Sequence, residues 1–143
     1  MNIYLPILLI LLANIIYNLC TKLMPSGTNP FLSLVVTYLC AAALTALLYV
    51  TVPYSGTRTL SEDLHSLNWT GFALGFAIVG LEFGYILAYR MGWDISVCSA
   101  TTNIMLALVL VPIGILFFKD NFTLTKAIGM ILCIAGLFLL NKK

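Results

Sequence analysis

The sequence predicts an all-α polytopic membrane protein, five transmembrane helices forming one membrane domain across residues 1–143. Three observations carry that expectation. The chain is 62% hydrophobic and 8% charged, with mean hydropathy +1.07. A water-facing domain carries about 25% charged residues, so the charges here are too few to cover one. Five apolar runs stand out, each long enough to cross a hydrocarbon core of roughly 30 Å at 1.5 Å per helical residue. Clusters of turn-forming residues separate the runs.

In chain order, the first span covers residues 3–24 and stops at Pro25-Ser26-Gly27, with Asn29-Pro30 closing a short turn. It lacks a basic start and a small-x-small cleavage site, so it reads as a retained span and not a cleaved signal. The second span covers 31–52. The connection from Pro53 to Asn68 follows, with Tyr54-Ser55-Gly56, Arg58, Glu62, Asp63 and the single His65, and it is too short to be a domain. The third span, 69–90, ends at Gly92-Trp93-Asp94. The fourth, 96–118, contains Pro112, whose missing N–H predicts a kink, and Lys119-Asp120-Asn121 then turns the chain. The fifth, 122–140, runs to Asn141-Lys142-Lys143. Gly71 with Gly75, and Gly80 with Gly84, have the spacing that lets membrane helices approach closely, and Gly129 and Gly136 share one face of the fifth span.

Polar groups inside the spans are the candidate functional residues. Glu82 is the one acidic side chain far from any segment end. A carboxylate at the centre of an isolated membrane helix costs about 2.5–3.5 kcal/mol, so Glu82 is expected to face protein or a watery cavity. It marks a binding or coupling site; the plainer alternative is a structural carboxyl that joins helices. Glu82, Tyr85 and Tyr89, at i, i+3 and i+7, share one helical face. Asn14, Asn18 and Lys22 form a stripe at i, i+4 and i+8 on the first span. The second span adds Thr37 and Tyr38, and the fourth Ser99, Thr101, Thr102 and Asn103. Counted from the side where the first span ends, Glu82 lies about 12 Å deep, Asn103 about 10 Å, Thr37 about 9 Å and Asn18 about 8 Å, which places them in one layer. For Asn14, Thr37 and Thr101 taken singly, bonding to a neighbouring helix or to their own backbone is the simpler role. Lys22 has two readings: its ammonium snorkels to the headgroups, or it reaches Glu82 as a counter-charge.

Other chemistries find no support in the residues. No nucleophile–base pair and no metal-ligand cluster is visible, and His65 stands alone in a loop, so neither an enzyme nor a resident metal or cofactor is expected. Cys20, Cys40, Cys98 and Cys133 have no metal or redox spacing and read as small buried hydrophobes. The seven basic residues form no stripe, which argues against nucleic acid. They also fail to orient the spans. With five spans, Arg58, Lys119 and Lys126 fall on one side and Lys22, Arg90, Lys142 and Lys143 on the other, a near-even division that admits both orientations.

Longer stretches carry a family resemblance. The segment PIGILFFKDNFTLTKA followed by IGMILCIAGLFLLN resembles the terminal helices of the drug/metabolite transporter superfamily. GYILAYRMGWDISVCSA looks like that superfamily's helix–turn–helix, and ANIIYNLCTKLMPSG like its opening helix. Together these cover nearly all of the chain and correspond to one EamA-like five-helix repeat, of the five-span bacterial and archaeal branch. Where the related four-span multidrug exporters carry a titratable Glu after an Ala, this chain has Asn14 after Ala13. Its membrane carboxylate is Glu82 instead. The resemblance implies a multi-pass cell-membrane transporter acting as a homodimer, the second copy supplying an inverted half. Small metabolites or organic cations are the implied substrates, with Glu82 binding substrate or proton and Tyr85, Tyr89, Asn18 and Asn103 shaping the cavity. Two further expectations stay open: a flippase subunit for lipid or lipid-linked sugar, and a non-transporting accessory subunit.

Overall fold

A computed structural model describes residues 4–52, 60–119 and 123–140. Ile3, the stretch from Pro53 through Arg58, Asp120-Asn121, Phe122 and Asn141-Lys142-Lys143, all used in the sequence reading, lie outside the described residues. Among the described residues the secondary structure is entirely α-helical, in six elements: α1 (Tyr4–Leu23), α2 (Pro30–Thr51), α3 (Leu60–Ser66), α4 (Trp69–Arg90), α5 (Ile95–Phe118) and α6 (Leu124–Leu140). The helices α1, α2, α4 and α5 are each long and apolar enough to cross a membrane. With 17 residues, α6 is shorter.

The short helix α3 falls within the connection between the second and third spans, where the sequence reading named no helix. Seven residues are too few for a hydrophobic period to stand out, yet the end charges suit a helix. Glu62 and Asp63 occupy its first turn, matching the positive pole of the peptide dipoles. Its end is closed by the Ser66 hydroxyl donating to the Asp63 carbonyl at 2.7 Å.

The helices fall into two compact units. One spans Leu23–Leu87 and holds α2, α3 and most of α4. Asn29 caps α2, its side-chain oxygen accepting the Phe31 N–H at 2.9 Å, and Pro30 at the first helical position sacrifices no needed donor. Phe31 and Phe83 stack with centroids 4.9 Å apart and planes 17° apart, fixing α2 against α4. Leu34 and Ile86 are buried. The Tyr49 hydroxyl donates to Asp63 Oδ2 at 2.8 Å, tying the end of α2 to α3.

The second unit joins the chain up to Lys22 with the chain from Ala88 onward. The end of α4 is built as the sequence suggested. Gly92 adopts φ +92°, the Gly92 N–H donates to the Tyr89 carbonyl at 3.1 Å, and the Trp93 N–H donates to the Ala88 carbonyl at 3.2 Å. That pair of bonds is the Schellman closure, which satisfies two carbonyls that a helix end leaves open. The helix α5 continues through Pro112, where the Leu108 carbonyl has no backbone donor four residues on. It ends at Lys119 in the left-handed region (φ 56°), its N–H donating to the Gly114 carbonyl. Within this unit, α5 and α6 pack closest.

Burial is inverted relative to a water-soluble protein. Asn18 and Thr21 are buried, Asn18 at 5% exposure, while Phe72 and Phe76 stand outward, Phe76 at 82%. Apolar side chains can face acyl chains at no cost, whereas backbone and side-chain polar groups must find protein partners there. The protein is therefore read as a membrane protein. The paired glycines stand open among the described residues. At Gly71, Gly75, Gly80, Gly84, Gly129 and Gly136 nothing lies within 4 Å of where a Cβ would stand.

Candidate functional site

In the unit spanning Leu23–Leu87, Glu82 sits two-thirds of the way along α4 and is half-buried, as is Tyr85 one turn further on. Helical spacing puts both on the face that also carries the buried Ile86 and the stacked Phe83 nearby. The residue that α2 brings to Glu82 is Tyr38. Its hydroxyl lies beside the carboxyl, near enough for electrostatic interaction but outside the geometry of a direct hydrogen bond. Thr37, the neighbour proposed from sequence, is exposed and donates to the Ser33 carbonyl of its own helix at 3.0 Å. Tyr38, named in the sequence beside Thr37 but not placed in the polar layer with Glu82, is thus the α2 residue that lies at the carboxyl.

Tyr38 also lines an apolar groove of about 470 Å³, with Gly71, Gly75, Phe72 and Phe76 of α4 around it. The absent side chains at the two glycines open this groove, since a Cβ there would meet nothing. One tyrosine therefore connects an aromatic-walled groove with the only carboxyl of a span centre. Chemically, such an arrangement can take up a proton or hold a cation against aromatic faces.

In the other unit the first-span stripe is engaged by the end of α4. Asn18 is buried and its Oδ1 accepts the Tyr89 hydroxyl at 2.5 Å. Its Nδ2 donates to the Asn14 carbonyl at 2.8 Å and to Asn14 Oδ1. The Lys22 ammonium donates to the Trp93 carbonyl at 2.7 Å and lies 5.5 Å from the centre of the Tyr89 ring. A cation over an aromatic face is attracted by the ring quadrupole, so Tyr89 holds both Asn18 and Lys22. Thr21, also buried, donates to the Tyr17 carbonyl at 2.7 Å.

On α5, Asn103 is exposed, and its Nδ2 donates to the Ser99 carbonyl at 2.9 Å. Asn14 is likewise exposed. Both line a groove of about 610 Å³ between α1 and α5, which Asn18, Ser96 and Ser99 share. Thus Asn14, Asn18, Lys22, Tyr89 and Asn103 belong to one unit, and Thr37, Glu82 and Tyr85 to the other. The Trp93 carbonyl went unnoticed in the sequence because a backbone acceptor carries no residue signature. Among the described residues no cluster of three or more His, Cys, Asp or Glu able to hold a metal occurs. No family model, no curated protein and no solved structure matches the chain.

Proposed function

We propose that the protein is a secondary membrane transporter of small organic cations or amine-bearing metabolites, built as one EamA-like five-helix repeat of the drug/metabolite transporter superfamily. The observation that carries this reading is the half-buried Glu82 in mid-span with Tyr38 beside it, next to the groove walled by Phe72 and Phe76. A carboxyl kept at such depth is retained against its insertion cost, and the aromatic walls supply the faces that an ammonium or guanidinium group favours. Tyr85, one turn on, completes the polar face of α4.

In this reading α6 is the fifth span. At 17 residues it extends about 25 Å, a shortfall that the bilayer accommodates by local thinning and by snorkelling of flanking basic residues such as Lys126. The active form is a homodimer in the cell membrane whose copies insert in opposite orientations. Two facts support that form. The basic residues divide almost evenly between the two sides, and Gly80 and Gly84 of α4 and the glycine face of α6 meet nothing among the described residues, which leaves them open to a second copy.

The test is substrate-driven or proton-driven flux in liposomes holding the purified protein. Glu82→Gln, which preserves shape and removes the charge, is expected to abolish flux while leaving expression and the folded oligomer intact. Unchanged flux in Glu82→Gln would remove the coupling role and leave the carboxyl as a structural group.

A further inference from the structure

The groove between α1 and α5 lies wholly within one unit and contains no titratable side chain. It is chemically graded along its length. The Lys22–Trp93 bond places the end of α1 beside the start of α5. From that end inward, the groove is lined by the amides and hydroxyls of Asn18, Ser96, Ser99, Asn14 and Asn103, with apolar side chains such as Leu19 and Ile95 between them. Further along α1, toward its start, the lining becomes Leu11, Ile10 and Ile7. All of the lining's amides and hydroxyls therefore lie in one half of the groove, and the other half is wholly aliphatic.

The polar end is only half satisfied. Asn14 accepts from Asn18, but among the described residues nothing takes the Asn14 Nδ2 protons. Asn103 spends its Nδ2 on Ser99, and nothing among the described residues donates to its Oδ1. Both residues are exposed on membrane-crossing helices. Away from water, an unpaired amide donor or acceptor costs a few kcal/mol, so these groups are stable only against something that hydrogen-bonds in return. The partner must accept at Asn14 and donate at Asn103. A neutral amide or hydroxyl group does both, a carboxylate can only accept, and an ammonium can only donate.

We infer that this groove binds an uncharged amphiphile, its amide or hydroxyl head between Asn14 and Asn103 and its aliphatic tail along Leu11, Ile10 and Ile7. A volume of about 610 Å³ suits a ligand of that size, within the roughly 300–1,000 Å³ of small-molecule sites. The site is separate in chemistry from the carboxyl-bearing one and does not depend on the transport reading.

The experiment compares probes with one tail and three heads, dodecanamide, dodecylammonium and dodecanoate, added to the purified protein in phosphatidylcholine nanodiscs. The readout is the thermal unfolding midpoint, which rises with any ligand bound to the folded state. Dodecanamide is expected to raise the midpoint at concentrations where the other two do not. Asn14→Leu and Asn103→Leu are each expected to weaken its binding about tenfold, the effect of one hydrogen bond lost in a dry site. If either variant fails to fold, Ile10→Trp, which fills the aliphatic end and leaves the amides intact, is expected to abolish the shift. Equal shifts from all three heads would overturn the inference, because they would show adventitious binding of the tail alone. So would an absent dodecanamide shift, and cross-linking between copies through a cysteine introduced at position 14 would then identify a second copy as the occupant.

Discussion

At the scale of single residues, the two polar clusters do different work. Glu82 with Tyr38 sets a carboxyl beside a hydroxyl, the pair that the proposed transport uses, whereas Asn18 with Tyr89 joins α1 to the end of α4 through a neutral hydrogen bond. The distinction is testable. Tyr38→Phe removes the hydroxyl beside Glu82 and keeps the ring, so flux is expected to fall by less than in Glu82→Gln, with thermal stability nearly unchanged. Asn18→Leu leaves the Tyr89 hydroxyl without its buried acceptor and is expected to lower stability by about 1 kcal/mol, within the range measured for hydrogen bonds between membrane helices. That loss is read as a lower unfolding midpoint in detergent, and an unchanged midpoint would show that the bond contributes nothing. Lys22 is held by Trp93 and Tyr89, so its ammonium helps fasten the α4–α5 turn to α1.

At the scale of elements, local chemistry explains where the helices stop. Asn29-Pro30 starts α2 because an amide oxygen satisfies an open N–H and a proline needs none. Gly92 ends α4 because the closing turn requires φ +92°, which a residue with a Cβ adopts at a cost. Nothing lies within 4 Å of the position a Cβ would take there, so the cost is conformational and not steric. Gly92→Ala is accordingly expected to destabilise by about 1 kcal/mol, and the β-branched Gly92→Val by more, in a denaturation series that follows helix content. Equal stability of all three would mean that the turn has another conformation available. The capping residues were legible in the sequence for this reason: caps and turns depend on near neighbours. The helix α3 was not legible, because a seven-residue helix shows less than two full turns of any pattern.

At the scale of the whole molecule, the exposed surface is that of a protein in acyl chains, and the weak charge bias predicts insertion in both directions. Reporters fused to either end, one active only in the cytoplasm and one only outside it, are expected to give comparable signals from both. Adding basic residues to the α1–α2 loop is expected to drive all copies into one orientation and to abolish flux, with activity returning when an oppositely biased copy is co-expressed. A single orientation in the unaltered protein would eliminate the antiparallel dimer.

The sequence alone determined that the chain is helical and membrane-embedded, where its breaks fall, and which polar residues lie within its spans. Those properties follow from composition, run length and local turn chemistry, all of which act along the chain. Only the tertiary structure decided which polar residues have partners. The helix α2 is apolar around nearly its whole circumference, so no stripe in its sequence distinguishes the face of Thr37 from that of Tyr38. Packing made that choice through the Phe31–Phe83 stack, turning Tyr38 to Glu82 and leaving Thr37 outward. In the same way Asn18 found Tyr89, 71 residues away, because a hydrogen bond needs a particular distance and direction that helical periodicity on either strand of sequence does not encode.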